Sequence, residues 1–225
     1  DAQGVDLSIP MTDRAATLLL ELRDRRPGLA LPFPASSAYE AASDKMRLLE
    51  LGASIGVPVP DQVILQRADD PALGEVDRLG WPLVLKPWRS VARTPRGVAS
   101  FEVRIVSDPR ACRARLAELP PEAFPVLAQK KVVGPGLGVF LLTHRGQTRA
   151  SFAHRRLREK PPTGGVSTYR ESVPVRPDLL EHAERLARAL EWTGVAMVEF
   201  KEDAATGTPY LMEINARLWG YLQLA

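Results

Sequence analysis

The chain has 225 residues, 45% hydrophobic, 25% charged and 6% aromatic, a globular composition that excludes wholesale disorder and collagen-like repeats. No apolar run approaches the length that spans a bilayer, and the single cysteine, Cys112, excludes an internal disulfide and a cysteine-built zinc cage, pointing to a reducing, cytoplasmic setting. The 30 Lys and Arg against 27 Asp and Glu leave only +3, so neither nucleic acid nor membrane is indicated as a partner, while a polyanionic small molecule fits. Asp1 opens the chain with no basic-then-apolar leader behind it, and Ala225 closes it inside an apolar stretch. It reads as a piece of a longer chain.

Residues 12–26 read as a helix: Thr12 or Asp13 can cap it, Ala16, Leu19, Leu20 and Arg23 recur at helical spacing, and Pro27 and Gly28 end it. Leu31-Pro32-Phe33-Pro34 reads as a linker. Ser43 offers a cap for a second helix to about residue 55, ended by Gly56. A short strand over 62–66 and a weak helix to residue 79 precede Pro82-Leu83-Val84-Leu85-Lys86-Pro87, a short buried strand closed by a lysine. Residues 90–97 are polar and basic and read as a mobile loop. Phe101, Val103 and Ile105 alternate as in a strand, and 108–119 reads as a helix closed by Pro120-Pro121.

The second half reads as a strand over 126–133, a Gly-rich turn at Gly134-Pro135-Gly136, and a hairpin of strands 137–143 and 148–157 around Arg145-Gly146-Gln147. A flexible loop over 161–165 follows. Residues 177–191 form an amphipathic helix with Leu179, Leu180, Ala183, Leu186, Ala187 and Leu190 on one face. Strands over 195–201 and 210–215 end the pattern. The fold class is α+β, built as two small units that meet near residues 120–125.

The chemistry concentrates in the last two strands. Met197-Val198-Glu199-Phe200-Lys201 places an acid on an otherwise apolar strand, and Met212-Glu213-Ile214-Asn215-Ala216-Arg217 does so again. Residues two apart on a strand share a face, so Glu213, Asn215 and Arg217 project together. A hairpin through 203–208 sets Glu199 beside Glu213. Two carboxylates and an amide oxygen make an all-oxygen site that suits Mg²⁺, an ion held by one or two carboxylates and completed by phosphate oxygens. Lys86, at the end of an apolar strand, needs an anionic partner or a route to water. His144, His154 and His182 carry no assigned role, and the order of residues offers no nucleophile with a matching base.

Val-Glu-Phe, a hairpin, then Met-Glu-Ile-Asn-Ala-Arg resembles the metal-binding end of the ATP-grasp family, and within it the carbamoyl-phosphate-synthase-like ATP-dependent carboligases. The likeness covers residues 43–221. It implies two α+β lobes sandwiching ATP: the tail of a preceding α/β domain over 1–42, a first lobe over 43–124 and a second over 125–225. It implies that Glu199 and Glu213 bind Mg²⁺ with Glu213 bridging two ions, that Asn215 binds the second, and that Arg217 faces the transferred phosphoryl group. Lys45 and Lys86 match phosphate-contacting lysines, and Gln129, Lys130 and Val132 match the hinge that holds the adenine. Residues 90–97, with Arg89, Arg93 and Arg96, match a loop over the phosphates. Arg156, Arg158, Gly164, Gly165 and Ser167 match a substrate-side loop that would bind a carboxylate or acyl phosphate.

The implied reaction is ADP-forming: a small-molecule carboxylate is phosphorylated by ATP and then attacked by an amine or another nucleophile. Two departures favour an alternative, a nucleotide-binding module with impaired catalysis. Lys130 stands where relatives carry an acid, and Pro135 where they often carry a ribose-binding glutamate. A nucleic-acid binder ranks last, because the arginines at 89–96 and 155–158 have no aromatics interleaved for base stacking.

Overall fold

The computed structural model describes residues 6–26, 28–94, 97–160 and 166–219. Helix α1 (Asp13–Arg25) starts as expected, with the Thr12 side chain accepting from the Ala15 N–H. The linker and second helix differ from the sequence reading. Residues expected to be a linker lead into α2 (Ser36–Ser43), and a separate α3 (Lys45–Ser54) begins after a break at Asp44. Asp44, not Ser43, is the cap: its carboxylate accepts from the N–H groups of Met46 and Arg47 at 3.0 and 3.2 Å. Ser43 instead closes α2.

The first sheet has the order β1-β6-β2-β5, all antiparallel, from β1 (Gln62–Leu65), β2 (Leu83–Pro87), β5 (Arg104–Val106) and β6 (Val126–Lys130). A 3-10 segment (Pro71–Leu79) and α4 (Pro109–Ala117) pack on one face around Leu65, Leu83, Leu85, Leu116 and Val126. Because β6 is bonded on both sides within this sheet, the first unit runs through Lys130 and not to residue 124. The basic segment expected as a loop pairs as a two-stranded hairpin of β3 (Val91–Thr94) and β4 (Gly97–Ser100). The alternating stretch 101–105 contributes only its end, β5, to a sheet.

The second sheet has the order β11-β10-β7-β8-β9, from β7 (Gly136–His144), β8 (Gln147–Lys160), β9 (Val166–Val173), β10 (Gly194–Glu202) and β11 (Pro209–Asn215). The sequence reading lacked β9, whose residues Ser167, Thr168, Arg170, Glu171 and Ser172 carry no apolar alternation. One face of this sheet is covered by α1, α2, α3 and α5 (Pro177–Ala189), with Leu48, Leu186, Val139, Val198, Phe200 and Leu211 fully buried between. Helix α3, expected in the first lobe, therefore packs on the second sheet. The opposite face of the second sheet looks across a cleft to the first. Among the described residues no helix is long and apolar enough to cross a membrane.

Candidate active site between two sheets

The cleft has a volume of about 820 Å³ and is lined from the first sheet by Val84, Lys86, Ile105, Gln129 and Lys130. Alternation along β2 explains the division: Leu83 and Leu85 enter the core beneath, while Val84 and Lys86 face the cleft. From the second sheet come Met197, Glu199 and Lys201 on β10, then Met212, Glu213 and Asn215 on β11, with Arg217 just beyond.

Glu199 and Glu213 are direct register partners, as the hairpin spacing required. A bulge follows immediately, since Phe200 pairs with Leu211 and leaves Met212 as the extra residue. The bulge lets Leu211 point into the helix-side core while Met212 and Glu213 both meet the cleft. Asn215 Nδ2 donates to Glu213 Oε1 at 3.2 Å, and Arg217 Nη2 donates to Asn215 Oδ1 at 3.2 Å. Arg217 Nε also donates to Asp13 Oδ1 at 3.2 Å, which ties the last strand to α1.

Two lysines converge on this acidic group. The Lys45 N–H donates to the Trp88 carbonyl at 2.8 Å, docking the first turn of α3 beside the end of β2. Its Nζ then lies 2.9 Å from Ser90 Oγ and 3.8 Å from Glu213 Oε2, with the residue 5% exposed. Lys86 Nζ sits 3.6 Å from Met212 Sδ and is also buried. Burial pulls Lys86 down to about 8, with Glu213 opposing and Lys45 assisting. For Glu213, burial alone would raise the pKa, but Lys45, Lys86 and Arg156 outweigh it and hold the carboxyl below its ordinary value. Glu199 moves the other way, because burial exceeds the help from Arg156.

Arg156 reaches Glu199 from β8 across β7, donating Nη2 to Glu199 Oε2, while its Nη1 lies 3.5 Å from Glu159 Oε1. Two glycines make the route. A Cβ on Gly136 would stand 2.9 Å from Arg156 Cδ, and one on Gly138 would stand 2.7 Å from His154 Nε2. The Gly-rich stretch expected as a tight turn thus supplies, on β7, clearance for two side chains lying flat on the sheet. His154 is fully buried, edge-on to Phe140 with ring centroids 5.0 Å apart. Burial first, then Arg156 and Arg170, push it down to about 4.

The remaining expected residues divide. Gln129 is buried and donates Nε2 to Gln62 Oε1 at 3.1 Å, and the Lys130 N–H is taken by the Asp61 carbonyl at 2.9 Å. Both line the cleft, as does Val132. Arg89 stacks over Trp88 at 4.5 Å and donates to the Glu40 carbonyl at 3.3 Å, at a mouth shared with Lys45, Ser90 and Asn215. Ser167 is buried in the cleft wall, but Arg158 is exposed on the other face. A bulge between Arg156 and Arg158 is the reason: Arg156 pairs with Arg170 and Arg158 with the next residue back, Tyr169, which reverses the facing. Arg96, Gly164 and Gly165 lie outside the described residues, as does the Arg93 side chain. Sequence reasoning missed Arg170, on the unforeseen β9, and Ser90 as the partner of Lys45. A basic residue next to Tyr169 and Glu171 carried no local signal.

The donor set fits Mg²⁺. It consists of oxygen only, Glu199 and Glu213 face each other across adjacent strands, and Asn215 adds an amide oxygen. Among the described residues no third His, Cys, Asp or Glu joins them, which suits an ion completed by substrate phosphates. Around these two carboxylates stand Lys45, Lys86, Arg156 and Arg217, with Glu159 also beside Arg156 and Asp13 beside Arg217.

No family model matches the chain. It is 26% identical over 204 residues to the mitochondrial methylcrotonoyl-CoA carboxylase subunit alpha of Mus musculus, covering 86% of this chain and 28% of that protein. The D-alanine–D-alanine ligase of Bacillus anthracis, solved with ATP, superposes with TM-score 0.70 at 20% identity over 96% of this chain and 70% of that one. The biotin carboxylase domain of the Hydrogenobacter thermophilus 2-oxoglutarate carboxylase, solved with MgADP, ADP and bicarbonate, superposes with TM-score 0.73 at 17% identity, covering 96% and 49%. The fold is ATP-grasp. In an ATP-grasp frame the cleft between the sheets is the space that Lys86 enters from one side and Glu199, Glu213 and Asn215 from the other. The chain spans 28% and 16% of the lengths of two curated relatives it matches.

Proposed function

We propose that the chain is the nucleotide-binding core of an ATP- and Mg²⁺-dependent ligase, which activates a carboxylate as an acyl phosphate, releases ADP, and passes the acyl group to an amine or another nucleophile. The observation that carries this reading is the meeting of Lys45 with Glu213 at 3.8 Å, beside Lys86 and opposite Glu199, in one buried cleft. Bound ATP-type ligands in solved proteins of this fold support it.

Lys45 and Lys86 would neutralise phosphate oxygens, and the Gln129–Val132 segment would border the base. Glu199, Glu213 and Asn215 would hold Mg²⁺, which supplies charge neutralisation for the triphosphate. Arg217, which donates to Asp13 and Asn215, would face the phosphoryl group. In the reaction the carboxylate oxygen forms a bond to the γ-phosphorus as the bond to ADP breaks. The amine then attacks the acyl carbon, phosphate leaves, and the amine loses a proton to solvent. The chain's contribution is placement and charge stabilisation, which need no covalent nucleophile.

The test is thermal unfolding and calorimetry with Mg²⁺ and a non-hydrolysable ATP analogue. Wild type should be stabilised saturably at millimolar ligand, and Glu213→Ala and Asn215→Ala should lose the effect while remaining folded. A folded wild type indifferent to the ligand would overturn the reading. The second reading, binding without turnover, draws on Lys130, which is exposed, and on Pro135, which offers only a carbonyl already accepting from the Glu202 N–H at 3.1 Å. Nucleotide binding with no ADP release by the longer parent chain, over pooled amino acids and small carboxylic acids, would favour it.

A further inference from the structure

We propose that Asp13 is a positioning residue for Arg217, holding its guanidinium in the orientation that meets the terminal phosphoryl group of the nucleotide. The assignment rests on the ligase reading above and adds to it a residue of α1, a helix expected to be the tail of a preceding domain. Asp13 Oδ1 accepts from Arg217 Nε at 3.2 Å, across 204 positions of sequence.

This contact is not needed to hold the helix. The two side chains are 35% and 27% exposed, and an ion pair open to water adds little to folding. Helix α1 is anchored instead by Ala16 and Leu20, which are buried in the core against the second sheet. What surrounds Asp13 fixes its direction. Its carbonyl accepts from Thr17 Oγ1 at 2.9 Å and from the Tyr39 hydroxyl at 3.2 Å. The Leu218 N–H donates to the Pro10 carbonyl at 3.2 Å, so the chain entering α1 is pinned to the chain leaving β11. The carboxylate therefore stands at the mouth it shares with Lys45, Ser90, Glu213 and Asn215.

A guanidinium carries five N–H donors in one plane. In Arg217 the Nε serves Asp13, Nη2 gives one hydrogen to Asn215 Oδ1 at 3.2 Å, and Nη1 reaches the Leu218 carbonyl at 3.5 Å. Among the described residues no other acceptor meets it. One N–H remains on each terminal nitrogen, the arrangement that suits two oxygens of a phosphoryl group. Asp13, on Nε, sets the rotation of that plane. Asn215 does so only while its Oδ1 is unshared. Under the ligase reading that oxygen holds Mg²⁺, and a cation there repels the guanidinium beside it. Asp13 is the one carboxylate paired with Arg217 among the described residues, and it keeps the orientation when the site is filled.

The experiment compares wild type with Asp13→Asn, Asp13→Glu and Arg217→Met. Calorimetry measures binding of Mg²⁺-loaded ADP and of an Mg²⁺-loaded non-hydrolysable ATP analogue, and thermal unfolding without ligand controls for folding. Wild type should bind the analogue more tightly than ADP, and Arg217→Met should erase most of that preference. Asp13→Asn keeps the shape and removes the charge; it should weaken the analogue about 5- to 10-fold while ADP stays within about 2-fold. Asp13→Glu should restore most of the preference. In the Arg217→Met background, Asp13→Asn should change neither ligand, because the two residues act as one unit. The unliganded Tm should be nearly the same throughout the Asp13 series.

A parallel loss of both ligands in Asp13→Asn, or a marked fall in its unliganded Tm, would make Asp13 an anchor of α1 and overturn the proposal. A preference for the analogue that survives Asp13→Asn or Arg217→Met also overturns it, as does a wild type that binds the two nucleotides equally. Each of these outcomes leaves nucleotide binding, and so the ligase reading, standing. A wild type indifferent to both nucleotides defeats that reading and takes the assignment with it.

Discussion

Replacing Lys86 by Met should make the protein more stable and unable to hold nucleotide. The ammonium is buried at the end of β2, and its pKa falls from the ordinary 10.5 to about 8, chiefly through burial. That difference corresponds to about 3 kcal/mol carried by the charged form at neutral pH. Met, one atom shorter, replaces most of the apolar stem without the charge, so the gain should be about 1–3 kcal/mol, or roughly 2–10 °C in Tm for a chain of this size.

The pH dependence follows from linkage. Below pH 8 the lysine is protonated in both folded and unfolded chains, and the full destabilisation is present. Between pH 8 and 10.5 the unfolded chain keeps a proton that the folded chain has released, so wild-type stability rises relative to the variant. The advantage of Lys86→Met should therefore shrink across that window and vanish above it. Urea unfolding at pH 7, 8.5 and 10 measures the gap, and calorimetry with the Mg²⁺-loaded analogue measures the lost affinity. A variant less stable than wild type at pH 7, or a gap that does not change with pH, would refute the assignment of an uncompensated buried charge.

Gly138→Ala should destabilise by about 1–3 kcal/mol, since the new methyl meets a buried ring rather than a flexible tip; the double substitution with His154→Ala should recover part of that in urea midpoints. His154→Phe should flatten the loss of stability on acidification, because between pH 6.5 and 4 the unfolded chain takes up a proton that the folded chain refuses; unfolding at pH 7 and 5 reads the difference. Asp44→Ala removes the cap of α3 and should cost about 1 kcal/mol. The same substitution should weaken nucleotide binding, since the cap adjoins Lys45, and Asp44→Asn should retain most of both properties.

What the sequence by itself determined lies in strands whose side chains obey a period of two. Glu213, Asn215 and Arg217 had to share a face, the hairpin length had to bring Glu199 opposite Glu213, and Lys86 had to end a strand whose other face is apolar. These relations are local, and the structure shows them between neighbouring strands. The four-strand composition of the first sheet was not local: β6 follows a Pro-rich boundary in the chain, yet it is bonded between β1 and β2. The division at α2 and α3 also escaped, because Asp44 caps a helix only where the preceding one has ended at Ser43.

Only the tertiary structure decided which basic residues enter the cleft. Arg158 and Arg170 are indistinguishable by composition, but one bulge at residue 157 turns the first outward and leaves the second opposite Arg156. Lys45 on a helix surface would ordinarily be solvated, and it is buried because its backbone is fastened to Trp88. Gly136 and Gly138 look like turn residues until the side chains of the adjoining strand are laid across them. Facing, clearance and burial depend on which strands become neighbours, and that choice is made by packing between distant segments rather than by any residue's own propensity.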